Sequence, residues 1–121
     1  MKDVLMVGLG GFLGSICRYG IAMGTTKILS MKFYTGTLTV NLLGSFLIGI
    51  LVAYFSKNQS QFSTFLIAGF CGGFTTFSTF SLDGLKLLRQ NMYLEFLSYA
   101  SISMIGGLLL CFLGFYFFNK A

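Results

Sequence analysis

The sequence has no histidine and few acidic side chains, and both absences argue against catalysis. Its 121 residues include only three carboxylates, Asp3, Asp83 and Glu95. Histidine is the commonest metal ligand and the usual general base near neutral pH. Three scattered carboxylates are too few for a carboxylate metal site or a convincing acid/base pair. The three cysteines lie far apart and show neither zinc-ligand spacing nor a disulfide pattern. We therefore expect that the protein is not an enzyme.

Charge is also scarce, which indicates a membrane protein. Charged residues make up 9% of the chain, against roughly 25% in an ordinary soluble domain. Hydrophobic residues make up 55%, and so few charges could not cover so apolar a chain in water. The eight Lys and Arg residues are dispersed between apolar stretches. This distribution favours contact with a lipid bilayer and predicts no nucleic-acid partner.

Stretches without charge divide the chain into spans. Residues 33–56, 58–82 and 96–119 contain no charged residue, and each exceeds the roughly 20 residues that a spanning helix needs. The first apolar stretch is interrupted only by Arg18. The sequence predicts an all-α membrane protein, with residues 1–121 as a single four-helix transmembrane domain. The predicted spans are about 4–24, 33–55, 62–88 and 95–118.

Positive charges are nearly balanced between the two sides of the membrane. Four spans place both termini on one side, which gives Lys2, Lys57 and Lys120 against Lys27, Lys32, Lys86 and Arg89. This three-to-four split leaves two interpretations open: a weak but decisive orientation, or dual topology in which the chain pairs with an inverted copy. A bundle of four helices fills its own centre with side chains. We therefore expect a transport pathway to lie at an interface between subunits.

The third span contains the most informative stretch, residues 69–81. It holds the pair Gly72-Gly73, followed by five Thr or Ser residues within positions 75–81. Adjacent glycines weaken a helix, and hydroxyls can replace lost backbone hydrogen bonds. The pattern predicts a break in the middle of the membrane, where freed carbonyls could coordinate a cation and freed N–H groups could face an anion. The alternative is a continuous helix with a small-residue packing face.

Several other side chains could serve an anion. Phe77 and Phe80 share a helix face, and aromatic ring edges are electropositive, although core packing is the ordinary interpretation. Asn41, in the second span, either donates to an anion or bonds a neighbouring helix. Tyr99 and Ser103 are spaced to extend a line of hydroxyls. Arg18 either attracts anions into a wet vestibule or extends to the interface.

Three motifs resemble the Fluc/CrcB family of fluoride channels. They are residues 10–19 (GGFLGSICRY), 36–46 (GTLTVNLLGSF) and 69–81 (GFCGGFTTFSTFS). The resemblance covers essentially the whole chain. It implies an antiparallel, dual-topology homodimer of four-helix subunits in the cell (inner or plasma) membrane, with the third helix broken. It also implies two fluoride pores and a buried structural Na⁺ at the dimer centre that is not transported.

The resemblance also implies roles for particular residues. The backbone carbonyls of Gly72 and Thr75 would hold the Na⁺, and Phe77 and Phe80 would form the aromatic fluoride sites. The remaining pathway residues would be the amide donor Asn41, the hydroxyls of Thr79, Tyr99 and Ser103, and Arg18 at the vestibule. The sequence departs from the family pattern at Asp83, where a glutamate is expected, and at Gly107, where a second hydroxyl often lies.

These observations predict a passive fluoride channel that exports fluoride and lowers its cytoplasmic concentration. The predicted pathway has donors but no buried carboxylate, whereas proton-coupled transporters need an ionisable relay in the membrane. The main alternative is a small dual-topology multidrug or cation efflux transporter. Such a transporter needs an acidic residue inside its first span, where this chain has only Asp3 at the edge. A third possibility is a membrane assembly subunit that transports nothing.

Overall fold

Four long helices make up most of the computed structural model, which describes residues 1–56 and 60–119. The helices are α1 (Lys2–Ile28), α2 (Thr35–Tyr54), α3 (Gln61–Arg89) and α4 (Tyr93–Asn119). Each is long and apolar enough to cross a bilayer. The prediction of an all-α chain with four membrane-spanning helices is confirmed for the described residues. Lys57 and Lys120, which entered the charge comparison, lie outside those residues.

Three of the helices contain π-helical turns. The last turn of α1 widens over Gly24–Ile28, α3 widens over Phe65–Cys71, and α4 widens over Ile102–Gly106. Such turns shift the register of the backbone hydrogen bonds and are frequent at functional sites. The turns in α3 and α4 contribute residues to the groove described below.

The third helix is interrupted at Thr75 and Thr76, and we call these two residues the interruption. Thr75 has φ −87° and ψ 156°, and Thr76 has φ −151° and ψ 129°, so both are extended. The α-helical segment Gly72–Phe74 ends before them, and the helix resumes over Phe77–Arg89. Thr76 caps the new segment because its hydroxyl accepts a hydrogen bond from the Thr79 N–H at 3.2 Å.

Glycines allow pairs of helices to approach backbone to backbone. α1 packs on the first half of α3, where a Cβ at Gly14 would overlap the carbonyl oxygen of Phe70. α2 packs along the second half of α4, where a Cβ at Gly49 would overlap the carbonyl oxygen of Cys111. Without a solvent-driven hydrophobic effect inside a bilayer, close van der Waals contact of this kind holds helices together.

The interior of one chain is small, and its outer faces are strongly apolar. The largest fully buried side chains are Val40, Cys71, Leu87 and Tyr99. Large apolar side chains cover the outside, including Phe12 and Phe117, which are both more than three-fifths exposed. Such an exterior suits lipid or a second subunit, since a water-soluble monomer rarely exposes so large an apolar surface.

The turn between α3 and α4 is short and has a defined stop signal. Asn91 adopts a left-handed conformation with φ 60°. The N–H of Met92 donates to the Leu87 carbonyl at 2.9 Å, and the N–H of Asn91 donates to the Leu88 carbonyl at 3.1 Å. These bonds form the Schellman arrangement that ends many helices. The turn therefore returns α4 directly alongside the second half of α3.

The close packing of α1 on α3 predicts a large difference between two glycine substitutions in α1. Gly14→Ala should destabilise the protein by about 1–3 kcal/mol, because the added methyl group overlaps a backbone oxygen that cannot move independently. Gly20→Ala is the matched control, since a Cβ there meets nothing within 4 Å. The free energy of unfolding in mixed detergent micelles measures both. Equal effects of the two substitutions would contradict the packing.

Candidate functional site

The side chain of Asn41 on α2 bonds the backbone of the interruption in both directions. Its Nδ2 donates to the Thr76 carbonyl at 3.0 Å, and its Oδ1 accepts from the Thr76 N–H at 2.8 Å. Backbone polar groups that leave a helix need new partners when water is excluded. The sequence left two roles for Asn41, and the structure shows the hydrogen bond to a neighbouring helix. Donation to an anion stays a prediction.

Two carbonyls at the interruption lose the donors that a continuous helix would supply. The Gly72 carbonyl would accept from the Thr76 N–H, and the Thr75 carbonyl would accept from the Thr79 N–H. Those N–H groups donate instead to the Asn41 Oδ1 and to the Thr76 hydroxyl. Carbonyl oxygens released in this way are suited to bind a cation. The assignment of a Na⁺ to Gly72 and Thr75 stays a prediction.

The neighbouring carbonyls have other donors. Arg18 on α1 donates from its Nε to the Gly73 carbonyl at 3.2 Å. The Cys71 carbonyl accepts from both the N–H and the hydroxyl of Thr75, at 3.0 and 2.9 Å. Arg18 therefore connects α1 to the part of α3 just before the interruption, and its place at a vestibule stays a prediction. Among the described residues, no group of three His, Cys, Asp or Glu side chains could hold a metal.

A groove of about 510 Å³ lies beside the interruption, between α2, α3 and α4. Six of the nine residues predicted for the site line it: Asn41, Gly72, Thr75, Phe77, Phe80 and Ser103. The other three, Arg18, Thr79 and Tyr99, are not part of its lining. None of the described residues that line the groove carries a charge. The groove therefore presents uncharged amide, hydroxyl, carbonyl and aromatic groups together with aliphatic and sulfur-containing side chains.

The two phenylalanines lie next to each other, as their spacing predicts. The ring centroids of Phe77 and Phe80 are 5.7 Å apart with an interplanar angle of 38°. Phe77 is 77% exposed, whereas Phe80 is half-buried and its ring lies 5.1 Å from that of Tyr99. The groove is therefore open on the side of Phe77 in a single chain. The role of the rings in holding an anion stays a prediction.

Ser103 brings an unsatisfied hydroxyl to the groove. Its Oγ is buried, and no described residue offers it a hydrogen-bond partner. A buried polar group left in this state costs about 1–3 kcal/mol. An ion or a water molecule in the groove would supply the missing partner.

The sequence predicts a pathway without a buried carboxylate, yet one carboxylate is buried between the helices, outside the groove. Asp83 is 4% exposed, and the Tyr99 hydroxyl donates to its Oδ2 at 3.2 Å. In the sequence, Asp83 directly follows the charge-free stretch 58–82 and lies inside the predicted third span, 62–88. The helix that resumes at Phe77 instead turns Asp83 toward α4, one turn from Phe80 and against the buried Tyr99. Asp83 does not line the groove.

Thr76 lies at the centre of the candidate site, although it is not among the residues predicted from the sequence. Thr76 exchanges two hydrogen bonds with Asn41 and caps the second half of α3. A threonine directly before the first residue of an amphipathic helical segment is a helix N-cap signal. Applied to Thr76, that signal could have located the restart of the helix at Phe77.

The family described as CrcB-like protein, Camphor Resistance (CrcB), matches residues 5–115. The chain is 43% identical over 116 residues to the "Fluoride-specific ion channel FluC" of Leptospira interrogans, which covers 93% of this chain and 91% of the relative. It is 42% identical over 122 residues to the protein of the same name from Gloeothece citriformis, with 99% of both chains covered. A third protein of this name, from Methanococcus maripaludis, is 46% identical over 99 residues and 78% of both chains.

The bonds between Asn41 and Thr76 predict that Asn41→Leu is strongly destabilising. The substitution leaves a backbone N–H and a carbonyl unpaired, and each such group costs about 1–3 kcal/mol. Ser45→Ala is the matched control, because the Ser45 hydroxyl donates only to the Asn41 carbonyl one turn away on the same helix. Unfolding in mixed detergent micelles compares the two. A stability loss for Asn41→Leu no larger than that of the control would contradict this role.

Proposed function

This chain belongs to the CrcB family, and we propose that it forms a passive, fluoride-selective channel in the cell membrane that lowers cytoplasmic fluoride. The relatives named above are fluoride-specific ion channels. The observation that carries the proposal is the uncharged groove beside the interruption, in which Asn41, Phe80 and Ser103 surround one space. Its groups offer partial positive charge to an anion without a fixed cation.

A small anion fits this chemistry better than a large one. Amide and hydroxyl donors are short and directional, and ring edges add weaker positive potential. Conduction requires an ion to be bound well enough to enter and weakly enough to leave. Neutral donors meet both conditions. They replace part of the hydration shell of the anion, but they do not bind the anion as tightly as a full positive charge would. The unpaired Ser103 hydroxyl offers one such donor.

We propose that two antiparallel copies of the chain complete the pathway. A single copy leaves the groove open, since Phe77 at its edge is 77% exposed. The near balance of positive charge between the two sides removes the usual bias toward one orientation. An inverted partner would cover the open side of each groove and give two equivalent pathways. The apolar outer faces of the helices supply surface for this contact.

We also propose that a structural Na⁺ binds the carbonyls of Gly72 and Thr75. Both residues line the groove, and both carbonyls have lost their helical donors to Asn41 and Thr76. An antiparallel partner would contribute the same two oxygens, so one cation would offset the cost of four carbonyls without donors. The ion would neutralise these dipoles and join the two subunits. It would stay bound while fluoride moves.

Asp83 makes proton-coupled transport the second candidate. A buried carboxylate inside a membrane helix is the group that coupled transporters use to carry protons. Small multidrug or cation efflux transporters work in this way. In this chain, however, the carboxylate accepts a hydrogen bond from Tyr99 and does not line the groove. The passive channel therefore remains the better supported function.

The passive channel predicts that fluoride moves without protons. Liposomes that contain the protein and potassium fluoride should release fluoride when valinomycin allows potassium to follow, because an uncoupled anion carries net charge. A fluoride electrode measures the release, and a pH electrode should detect no proton movement in the opposite direction. Chloride in place of fluoride should pass far more slowly. Asp83→Asn should leave the fluoride movement free of protons, because no proton is coupled to it.

Two further variants connect this flux to the groove. Phe80→Ile should lower fluoride release roughly tenfold or more, since each ~1.4 kcal/mol of lost stabilisation slows passage by a factor of ten. Phe117→Ile is the control, because Phe117 is exposed and does not line the groove. Proton uptake that accompanies fluoride release in the wild type and disappears in Asp83→Asn would support the second candidate instead.

The proposed cation predicts that sodium stabilises the dimer. Replacing Na⁺ by N-methylglucamine during long dialysis should lower stability, by about 2.7 kcal/mol where Na⁺ had exceeded its Kd about a hundredfold. Gly72→Val should weaken the dimer, although a Cβ at Gly72 meets nothing within 4 Å in one chain. Gly8→Val, at an equally open position, is the control. Thermal unfolding and gel filtration in detergent measure these effects, and a dimer insensitive to both changes would overturn the site.

A further inference from the structure

A continuous row of aromatic rings leads from the groove to the turn between α1 and α2. Beyond Phe77 and Phe80, the ring of Tyr99 lies 5.0 Å from that of Tyr34, and the ring of Tyr34 lies 5.4 Å from that of Phe33. Tyr99 is 1% exposed and sits in the middle of this row. Because rigid rings in contact restrict one another, the position of Tyr34 bears on Tyr99 and, through it, on Phe80.

Glu95 fixes the outer end of the row. Its Oε2 accepts from the Tyr34 hydroxyl at 2.8 Å, and its Oε1 pairs with the Lys32 Nζ at 2.7 Å. Glu95 lies in the first turn of α4, one helical turn before Tyr99. One carboxylate therefore connects the turn after α1 to the helix that carries Tyr99. Lys86, from α3, lies 5.5 Å over the ring of Phe33 and adds a contact at the same end.

We propose that Glu95 is a positioning residue for the fluoride path, because its hydrogen bond to Tyr34 fixes the ring that supports Tyr99. Tyr99 in turn packs on Phe80 in the groove. Glu95 itself does not line the groove. The inference rests on the proposed function, since it concerns the rate at which fluoride passes Phe80.

The ion pair with Lys32 is the weaker part of this arrangement. The Lys32 side chain is 61% exposed, and exposed ion pairs contribute little to stability. The hydrogen bond to Glu95 raises the pKa of Lys32, so the ammonium group stays charged. The Tyr34 hydroxyl is better shielded, because Tyr34 is half-buried against Tyr99. The acceptor oxygen of Glu95, more than its charge, should therefore hold the row in place.

Two substitutions at Glu95 separate the acceptor from the charge. Glu95→Ala removes both and should lower fluoride release from liposomes roughly three- to tenfold, the fold-change that corresponds to the net loss of one ordinary hydrogen bond. Glu95→Gln keeps an oxygen acceptor for Tyr34 and should restore most of the wild-type rate. If the charge of Glu95 acted by repelling anions, both substitutions would raise the rate. Equal rates for wild type and Glu95→Ala would overturn the proposal.

Tyr34→Phe tests the same bond with less risk to folding. It keeps the ring and removes only the hydroxyl, so it should also lower fluoride release. Tyr93→Phe is the matched control in the same region of α4, because it removes the hydrogen bond from an exposed tyrosine to Asn91. Gel filtration checks that each variant elutes at the same position as the wild type. A Tyr34→Phe rate equal to that of the control would count against the proposal.

A spectroscopic measurement separates this proposal from the proposed function. The chain has no tryptophan, so its near-ultraviolet circular dichroism comes mainly from tyrosine. Glu95→Ala should weaken the tyrosine band, because the rings of Tyr34 and Tyr99 lose their fixed orientation. Glu95→Gln has the same number of tyrosines and should preserve the band. If the wild type carries no fluoride, the proposed function fails, and this spectrum still reports the ring order. An unchanged band in Glu95→Ala would overturn the positioning role.

Discussion

The paired hydrogen bonds between Asn41 and Thr76 are the interaction on which the site depends. An extended residue inside a membrane helix exposes an N–H and a carbonyl that lipid cannot satisfy. Asn41 supplies both partners from a neighbouring helix, so the interruption becomes a stable feature of the fold. Because Asn41 occupies the Thr76 N–H, the Gly72 carbonyl loses its usual donor. The same bond that repairs one part of the backbone is therefore the reason that we propose the Gly72 carbonyl as a cation ligand.

The close approach of α1 to α3 supports this arrangement from the opposite side. Glycines in α1 bring its backbone against the first half of α3, where Gly73 lies against Gly11. Arg18 is thereby near enough to donate to the Gly73 carbonyl. An intramembrane guanidinium that is bound in this way satisfies a backbone carbonyl at the interruption and is itself partly neutralised. Helix packing and the chemistry of the interruption are thus parts of one structure.

The sequence was sufficient for the four spans and for the region of the site, because both depend on local composition. Charge-free stretches of sufficient length mark the spans, and Gly72-Gly73 followed by hydroxyl residues marks the interruption without any proline in the chain. Contacts between distant residues could not be obtained in the same way. No periodicity indicates that Asn41 would meet Thr76, or that the helix restart would turn Asp83 inward to Tyr99. These pairings depend on the relative rotation of helices, which composition does not determine.

The distribution of charge around the groove explains how a neutral path can favour an anion. Each ionic group near it has a partner: Arg18 binds the Gly73 carbonyl, and Asp83 accepts from Tyr99. A free arginine in the groove would hold a fluoride ion too tightly to release it, and a free carboxylate would exclude it. With both charges engaged elsewhere, the only polar groups that the proposed pathway offers to an ion are neutral ones, such as the Ser103 hydroxyl. Because such donors are individually weak, several must act together, and their spacing in a narrow groove then determines which anion they fit.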